Sequence, residues 1–219
     1  MKRILLSVTL VLGIMASTLG QSVWDCTTKS AWTYGSGTSA DPYLIENAEQ
    51  LAYFAEQVNA GTSYSGTYFK LTCDIDWNGC VWYAIGSNSA PFSGHFDADN
   101  HYIHNVTYQL SANNPSVYGG FFGYITNGSV SNLYIASNCT FTAASSNTTY
   151  YLGAVAAYAS GTKFTNCHNE APISVSHPSV STSFDTYVGG VVGYVASGDT
   201  MKQCSNKGNV SFNVNNNNT

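Results

Sequence analysis

Charge is scarce in this chain. Lys, Arg, Asp and Glu together make up 9% of its 219 residues, against about 25% in an ordinary soluble domain. The sole arginine is Arg3, close to the N-terminus. Beyond residue 20, bidentate guanidinium clamps for phosphate or carboxylate are therefore excluded. There five lysines stand against twelve acids, a net charge of −7 with His neutral. A nucleic-acid partner needs a basic footprint, and none exists. No C-x-x-C pair is present, which argues against a zinc site, so no metal is expected. No apolar run after residue 20 approaches the length of a membrane span. There is no Ser/His/Asp arrangement and no phosphate-loop, haem or nucleotide motif, so no cofactor is implied.

Hydrophobic residues reach 44%, enough to argue against disorder. Solubility must then come from Ser, Thr, Asn, Gln and Tyr, a surface that suits an extracellular β protein. The N-terminus agrees. Met1-Lys2-Arg3 is followed by an apolar run over 4–15 and small residues to Gly20, the pattern of a secretory signal peptide cleaved near Gly20. Residue 21 is Gln, not Cys, so lipid attachment there is excluded. A secreted or cell-surface location is expected, and with it disulfides among Cys26, Cys73, Cys80, Cys139, Cys167 and Cys204.

Three segments repeat: Tyr118-GGFFG-Tyr124, Leu152-GAVAA-Tyr158 and Val188-GGVVG-Tyr194. Each leads through a small polar turn into a short strand and then an alternating one, giving repeats at about 118–142, 152–176 and 188–212. In the last strand Cys139 and Phe141 align with Ile173 and Val175, and with Val210 and Phe212. Period-two alternation places one face inward. Ile103-His-Asn-Val106 aligns with the second strand. The inward columns are then Ile103/Val130/Phe164/Met201 and Val106/Leu133/Cys167/Cys204. Between them runs a polar column, Asn105/Asn132/Asn166/Gln203, read as a structural amide ladder or, alternatively, a ligand-binding one. Equivalent residues stacked at strand spacing imply an all-β solenoid over 68–212. The segment 21–67 is its N-terminal cap, with one amphipathic helix carrying Leu51, Phe54, Ala55 and Val58 on one face. Asn47 and Gln50 form a candidate capping box, and Gly61 closes the helix. The stretch 213–219 is a polar tail.

The run Gly37-TSADPYL-Ile45, Ala48-EQL-Ala52, Tyr68-FKLTCDI-Asp76, Phe92-SGHF-Asp97 and the repeats YGGFFGY and YVGGVVGY resemble secreted GLUG-motif proteins over about residues 24–212. The resemblance implies a bacterial surface or secreted protein, often adhesin-like, built on a right-handed β-helix. It carries no catalytic set to transfer. The middle repeat departs from the motif at Ala156-Ala157, and Ala98 stands where a glycine is usual.

Three constellations remain. His95, Asp97, Asp99, His101 and His104 would share a face only if a strand ran through them, and Asp97-Ala-Asp-Asn100 reads as a turn. Asp74 and Asp76 point the same way on a strand, as paired carboxylates of a glycosidase would; bonding to backbone amides at a corner explains them equally. Tyr124, Tyr158 and Tyr194 fall at one repeat position and form a column, either a corner that stiffens the stack or a platform for sugars or proteins. Loops over 143–150 and 177–185 vary in length, with Tyr150, Tyr151 and Tyr187 at their margin. Loops on a rigid scaffold are where function concentrates. The expected function is a non-enzymatic binding or adhesion module for an extracellular glycan or protein. The alternatives are a carbohydrate-active enzyme using Asp74/Asp76 or the histidine cluster, and a structural spacer. The best disulfide from spacing is Cys73–Cys80, bracketing a short loop; Cys167 and Cys204 lie on adjacent repeats within bonding reach.

Overall fold

The computed structural model describes residues 20–110, 118–144, 149–177 and 185–214. Among the described residues the fold is all-β with one helix, and every pairing between its strands is parallel. The strands form five sheets. The first holds Ser22–Val23, Ile75–Asp76, Tyr102–His104, Tyr134–Ile135, His168–Asn169 and Ser205–Asn206. The second holds Tyr43–Ile45, Tyr68–Leu71, His95–Asp97, Ser129–Ser131, Lys163–Thr165 and Thr200–Lys202. The third stacks Thr107–Leu110, Thr140–Ala144, Ile173–His177 and Val210–Val214. Tyr118–Gly119, Tyr150–Gly153 and Thr186–Gly189 make the fourth; Phe122–Thr126, Ala156–Ser160 and Val192–Val195 make the fifth.

From His95 onward the chain visits these sheets in a fixed cycle, second, first, third, fourth and fifth, so each pass forms one tier over the last. Phe96, Val130, Phe164 and Met201 are consecutive partners in the second sheet. Ile75, Ile103 and Ile135 are partners in the first. Inward residues of every tier thus pack on their counterparts, and the core is a continuous stack of Phe, Ile, Leu, Val and Trp. Burying one such side chain contributes about 1.5–3 kcal/mol.

Two registers differ from the sequence expectation. Ile103 lies in the Ile75/Ile135 column, not the Val130 column, and Val106 sits beside Cys139, whose thiol its amide contacts at 3.4 Å. Asn105 and Asn132 both take left-handed backbone, φ 55° each, but at different corners. A short I-x-N-V or V-x-N-L motif therefore fits either corner. In the third sheet Phe141 pairs with Ile173 and Ala143 with Val175, so the true register is two residues later than expected. Phe141 lies six positions after Ile135, whereas Ile173 lies only four after Asn169. A two-residue shift preserves the inward face.

The helix spans Ala48–Asn59. Asn47 caps it by accepting from the Gln50 amide at 2.9 Å, and Gln50 Oε1 accepts from the Glu46 amide at 2.7 Å, one residue earlier than in a strict capping box. Leu51, Phe54, Ala55 and Val58 are buried against the first tiers. The segment before residue 68 does more than cap. Ser22–Val23 and Tyr43–Ile45 are themselves strands of the first two sheets.

The disulfide is Cys26–Cys80, with Cα atoms 5.6 Å apart, and Cys73 is a free buried thiol. This corrects the Cys73–Cys80 pairing. Cys73 turns inward, where its thiol donates to the Glu46 carbonyl at 3.2 Å. Cys80 follows a turn closed by its own amide on Trp77, and meets the segment after Trp24.

Candidate functional site

The tyrosines form the most regular surface of the molecule. In the fourth sheet Tyr151 pairs with both Tyr118 and Tyr187; in the fifth Tyr158 pairs with both Tyr124 and Tyr194. Strand pairing alone sets the spacing, since parallel strands lie about 4.8 Å apart. The rings follow it. Centroids are 5.1 Å apart for Tyr118–Tyr151 and 4.9 Å for Tyr151–Tyr187, with planes 12° and 6° apart. Tyr124–Tyr158 and Tyr158–Tyr194 stack at 4.3 and 5.0 Å. The two columns meet edge to face, as at Tyr118–Tyr124 (5.0 Å, 89°) and Tyr187–Tyr194 (5.0 Å, 79°). This is the geometry the ring quadrupole favours.

The corner between the columns requires glycine. A Cβ at Gly153 would collide with the carbonyl of Ala156, and one at Gly120 with the carbonyl of Gly153. Backbones of successive tiers therefore approach closely there, and the flanking tyrosines fold onto one face.

All six rings are half-buried. Burial, followed by the neighbouring Tyr158 hydroxyl, pushes Tyr124 up to about 12. Tyr118 and Tyr151 are also raised, chiefly by burial. The carboxylate of Asp185 raises Tyr187, whose hydroxyl donates to Asp185 Oδ2 at 3.3 Å. Hydroxyl groups are the polar features of the rings, and the Asp185 carboxylate borders them at Tyr187.

Five of the six expected contact tyrosines are in this array: Tyr124, Tyr151, Tyr158, Tyr187 and Tyr194. Tyr150 is not, and is corrected: its side chain is fully buried, because alternation along Tyr150–Gly153 sends Tyr151 outward and Tyr150 into the core. Tyr118 belongs to the array and was missed, though YGGFFGY itself begins with it. Residues 145–148 and 178–184, the bulk of the two expected contact loops, lie outside the described residues.

The acidic and histidine clusters are occupied with structural bonds. Asp74 Oδ1 accepts from the Tyr102 amide and faces His101 Nδ1, both at 3.0 Å. Asp76 Oδ1 accepts from the Asn78 amide at 2.7 Å and from Asn105 Nδ2 at 2.8 Å. Asp97 Oδ1 accepts from the Asp99 amide and from Asn132 Nδ2. Asp99 and Asn100 form a left-handed turn at φ 50° and 69°, so the strand ends at Asp97. His95 stacks on Tyr68 at 4.2 Å and bonds the Ser129 hydroxyl. Among the described residues no three His, Cys, Asp or Glu groups converge as metal ligands would.

No protein-family model and no solved structure matches the chain. One relative is a protein described as a Gly-rich membrane protein from Evansella cellulosilytica, 32% identical over 111 residues. That match takes in 50% of this chain but only 12% of the relative's length. Among the described residues, no helix is long and apolar enough to cross a membrane.

A second concavity had no sequence signal. A cleft of about 860 Å³ lies beside the helix, lined by Trp24, Ala55, Trp77, Val81, Trp82, Tyr83 and the Cys26–Cys80 bridge. Its tryptophans are nearly buried, at 2–8% exposure, and its lips Val81 and Tyr83 are about two-thirds exposed. Its polar groups are spent. Lys29 pairs with Glu56 at 2.6 Å, and Asn59 bonds the Gly86 amide and the Ala84 carbonyl. The cleft offers apolar contact with little to orient a polar ligand.

Proposed function

We propose that the protein is a non-enzymatic binding module, secreted or displayed at the cell surface, that holds extracellular glycans on its tyrosine array. We read the stacked tiers as a right-handed parallel β-helix with an N-terminal helical cap, in keeping with the resemblance to GLUG-motif proteins. The leader over residues 1–20 is its export signal. The observation that carries the function is the array. Six tyrosines from two sheets present ring edges and hydroxyls on one rigid surface, in columns roughly 10 Å long whose rings cover one another's faces. Sugars combine apolar C–H faces with hydroxyl rims, and aromatic rings bearing a polar tip match both. With the Asp185 carboxylate at its edge, the surface suits neutral sugars better than anionic ones.

A carbohydrate-active enzyme is the weaker reading. Its candidate groups Asp74, Asp76 and His101 each hold a backbone amide, an asparagine or one another. A general acid or base needs a free face toward substrate. The test is a glycan array of host and microbial sugars, probed with the wild-type chain and with Tyr151→Ala/Tyr158→Ala. Binding lost in the variant supports the proposal. Binding to proteins but to no sugar would redirect it, and turnover that fails in Asp74→Asn would replace it.

A further inference from the structure

The structure assigns Cys167 and Cys204 as a second disulfide site, one that closes the last tier onto the tier before it by reaction with a disulfide oxidant. Both residues occupy the same inward column, after Leu133, on consecutive tiers. The flanking backbone fixes their separation. The Asn166 amide donates to the Lys202 carbonyl at 2.9 Å, and the Ser205 amide donates to the Cys167 carbonyl at 3.1 Å. Parallel neighbours bracketed in this way lie about 4.8 Å apart at Cα, within the roughly 4.4–6.8 Å that a disulfide spans. Cys167 is fully buried, whereas Cys204 sits half-buried in the outermost tier and is the sulfur an oxidant can reach.

Two further observations point the same way. The chain already forms Cys26–Cys80 near the opposite end of the stack, so it is compatible with oxidation. All four free thiols donate to backbone carbonyls, Cys73 to Glu46, Cys139 to Ile103, Cys167 to Val130 and Cys204 to Lys202, so their place on facing tiers is what singles out Cys167 and Cys204. Among the described residues, the strands of the Cys204 tier each lack a partner on one side, and Val195, Met201, Val210 and Phe212 are 42–53% exposed.

The chemistry balances without a metal or cofactor. Cys204 thiolate attacks one sulfur of the oxidant R–S–S–R; that bond breaks, and RS⁻ leaves and takes up a proton. Cys167 then gives up its proton and attacks the Cys204 sulfur of the mixed disulfide, expelling the second RS⁻. The two protein thiols are oxidised, and one external disulfide is reduced to two thiols. The neighbouring Cys167 thiol lowers Cys204 and so favours its thiolate, while Cys204 and burial hold Cys167 in its neutral form until the second step.

The experiment treats the full chain with oxidised glutathione, denatures it, alkylates without reduction and digests with trypsin. Cleavage after Lys163, Lys202 and Lys207 places the two cysteines on separate peptides. The expected product joins those peptides by one bond, lighter by two hydrogens, with Cys73 and Cys139 alkylated. Its Tm lies above that of a form selectively reduced at this bond, and the difference vanishes in Cys204→Ser. Cys167→Ala should instead retain glutathione on Cys204, showing the attack step without the closure. Free Cys204 after treatment, a stable glutathione adduct on Cys204 in the wild type, or a bond between two chains would overturn the assignment.

Discussion

Asn166 donates its side-chain amide to Asn132 Oδ1 at 2.9 Å, and both residues hold left-handed backbone, at φ 54° and 55°. The ladder continues one tier back, where Asn132 donates to Asp97 at 2.8 Å, while Asn166 Oδ1 faces His168 Nε2 of its own tier at 2.8 Å. Asparagine tolerates this conformation, which costs other L-residues about 1–2 kcal/mol. Asn166→Ala should therefore lose about 2–3 kcal/mol in urea unfolding, backbone strain plus lost hydrogen bonds. Asn166→Gly should lose less, because it keeps the backbone and surrenders only the ladder. Equal losses for the two variants would contradict this division.

Tyr150 and Tyr151 are adjacent and identical in type, yet their roles are opposite. Tyr150→Ala should cost about 3–5 kcal/mol by opening a cavity in the core. Tyr151→Ala should cost about 1–2 kcal/mol, the value of its ring stacking, and should impair binding. Thermal unfolding of the two variants side by side checks the assignment of inside and outside.

How much of this was legible beforehand follows from the physics of each element. The Tyr124/Tyr158/Tyr194 column could be read because the tyrosines fall at one position of the repeat. Its companion Tyr118/Tyr151/Tyr187 was read only in part, because loops of different length precede each member. Parity at Tyr150-Tyr151 is set by pairing with Tyr118 across a tier, and local sequence does not encode that. The third-sheet register slipped because one tier has a longer corner between Ile135 and Phe141. The helix was visible from its periodicity and Asn47 cap. Cys26–Cys80 joins residues 54 apart, and only the fold brings them together; the aromatic cleft next to it was hidden for the same reason.

That disulfide gives a prediction of its own. Cys26→Ser should destabilise the chain by about 2–5 kcal/mol, since it frees a long loop. Cys73→Ser should cost far less, because a serine hydroxyl can still donate to the Glu46 carbonyl. Peptide mapping of the unreduced protein should recover Cys26 linked to Cys80. Recovery of Cys73 linked to Cys80 would contradict the structure.

The array also predicts an alkaline transition. Burial raises Tyr124 to about 12, above the ordinary tyrosine value of about 10. A raised folded-state value means the folded protein holds that proton more tightly than the unfolded chain. The contribution is complete below about pH 10 and is lost as pH climbs through about 12. Phenolate absorbance should show a late-titrating fraction, with loss of stability over the same window. Tyr158→Phe should bring Tyr124 down, since the Tyr158 hydroxyl is one of the causes of its shift.

The most direct measurement of the central claim is glycan binding by the wild type and by Tyr151→Ala/Tyr158→Ala, with Tyr83→Ala as a control at the separate cleft. The account predicts binding to neutral glycans that falls at least tenfold in the double variant, with a Tm that confirms folding, and is unchanged in Tyr83→Ala. Glycan binding that survives in the double variant, or that is lost in Tyr83→Ala, would contradict it.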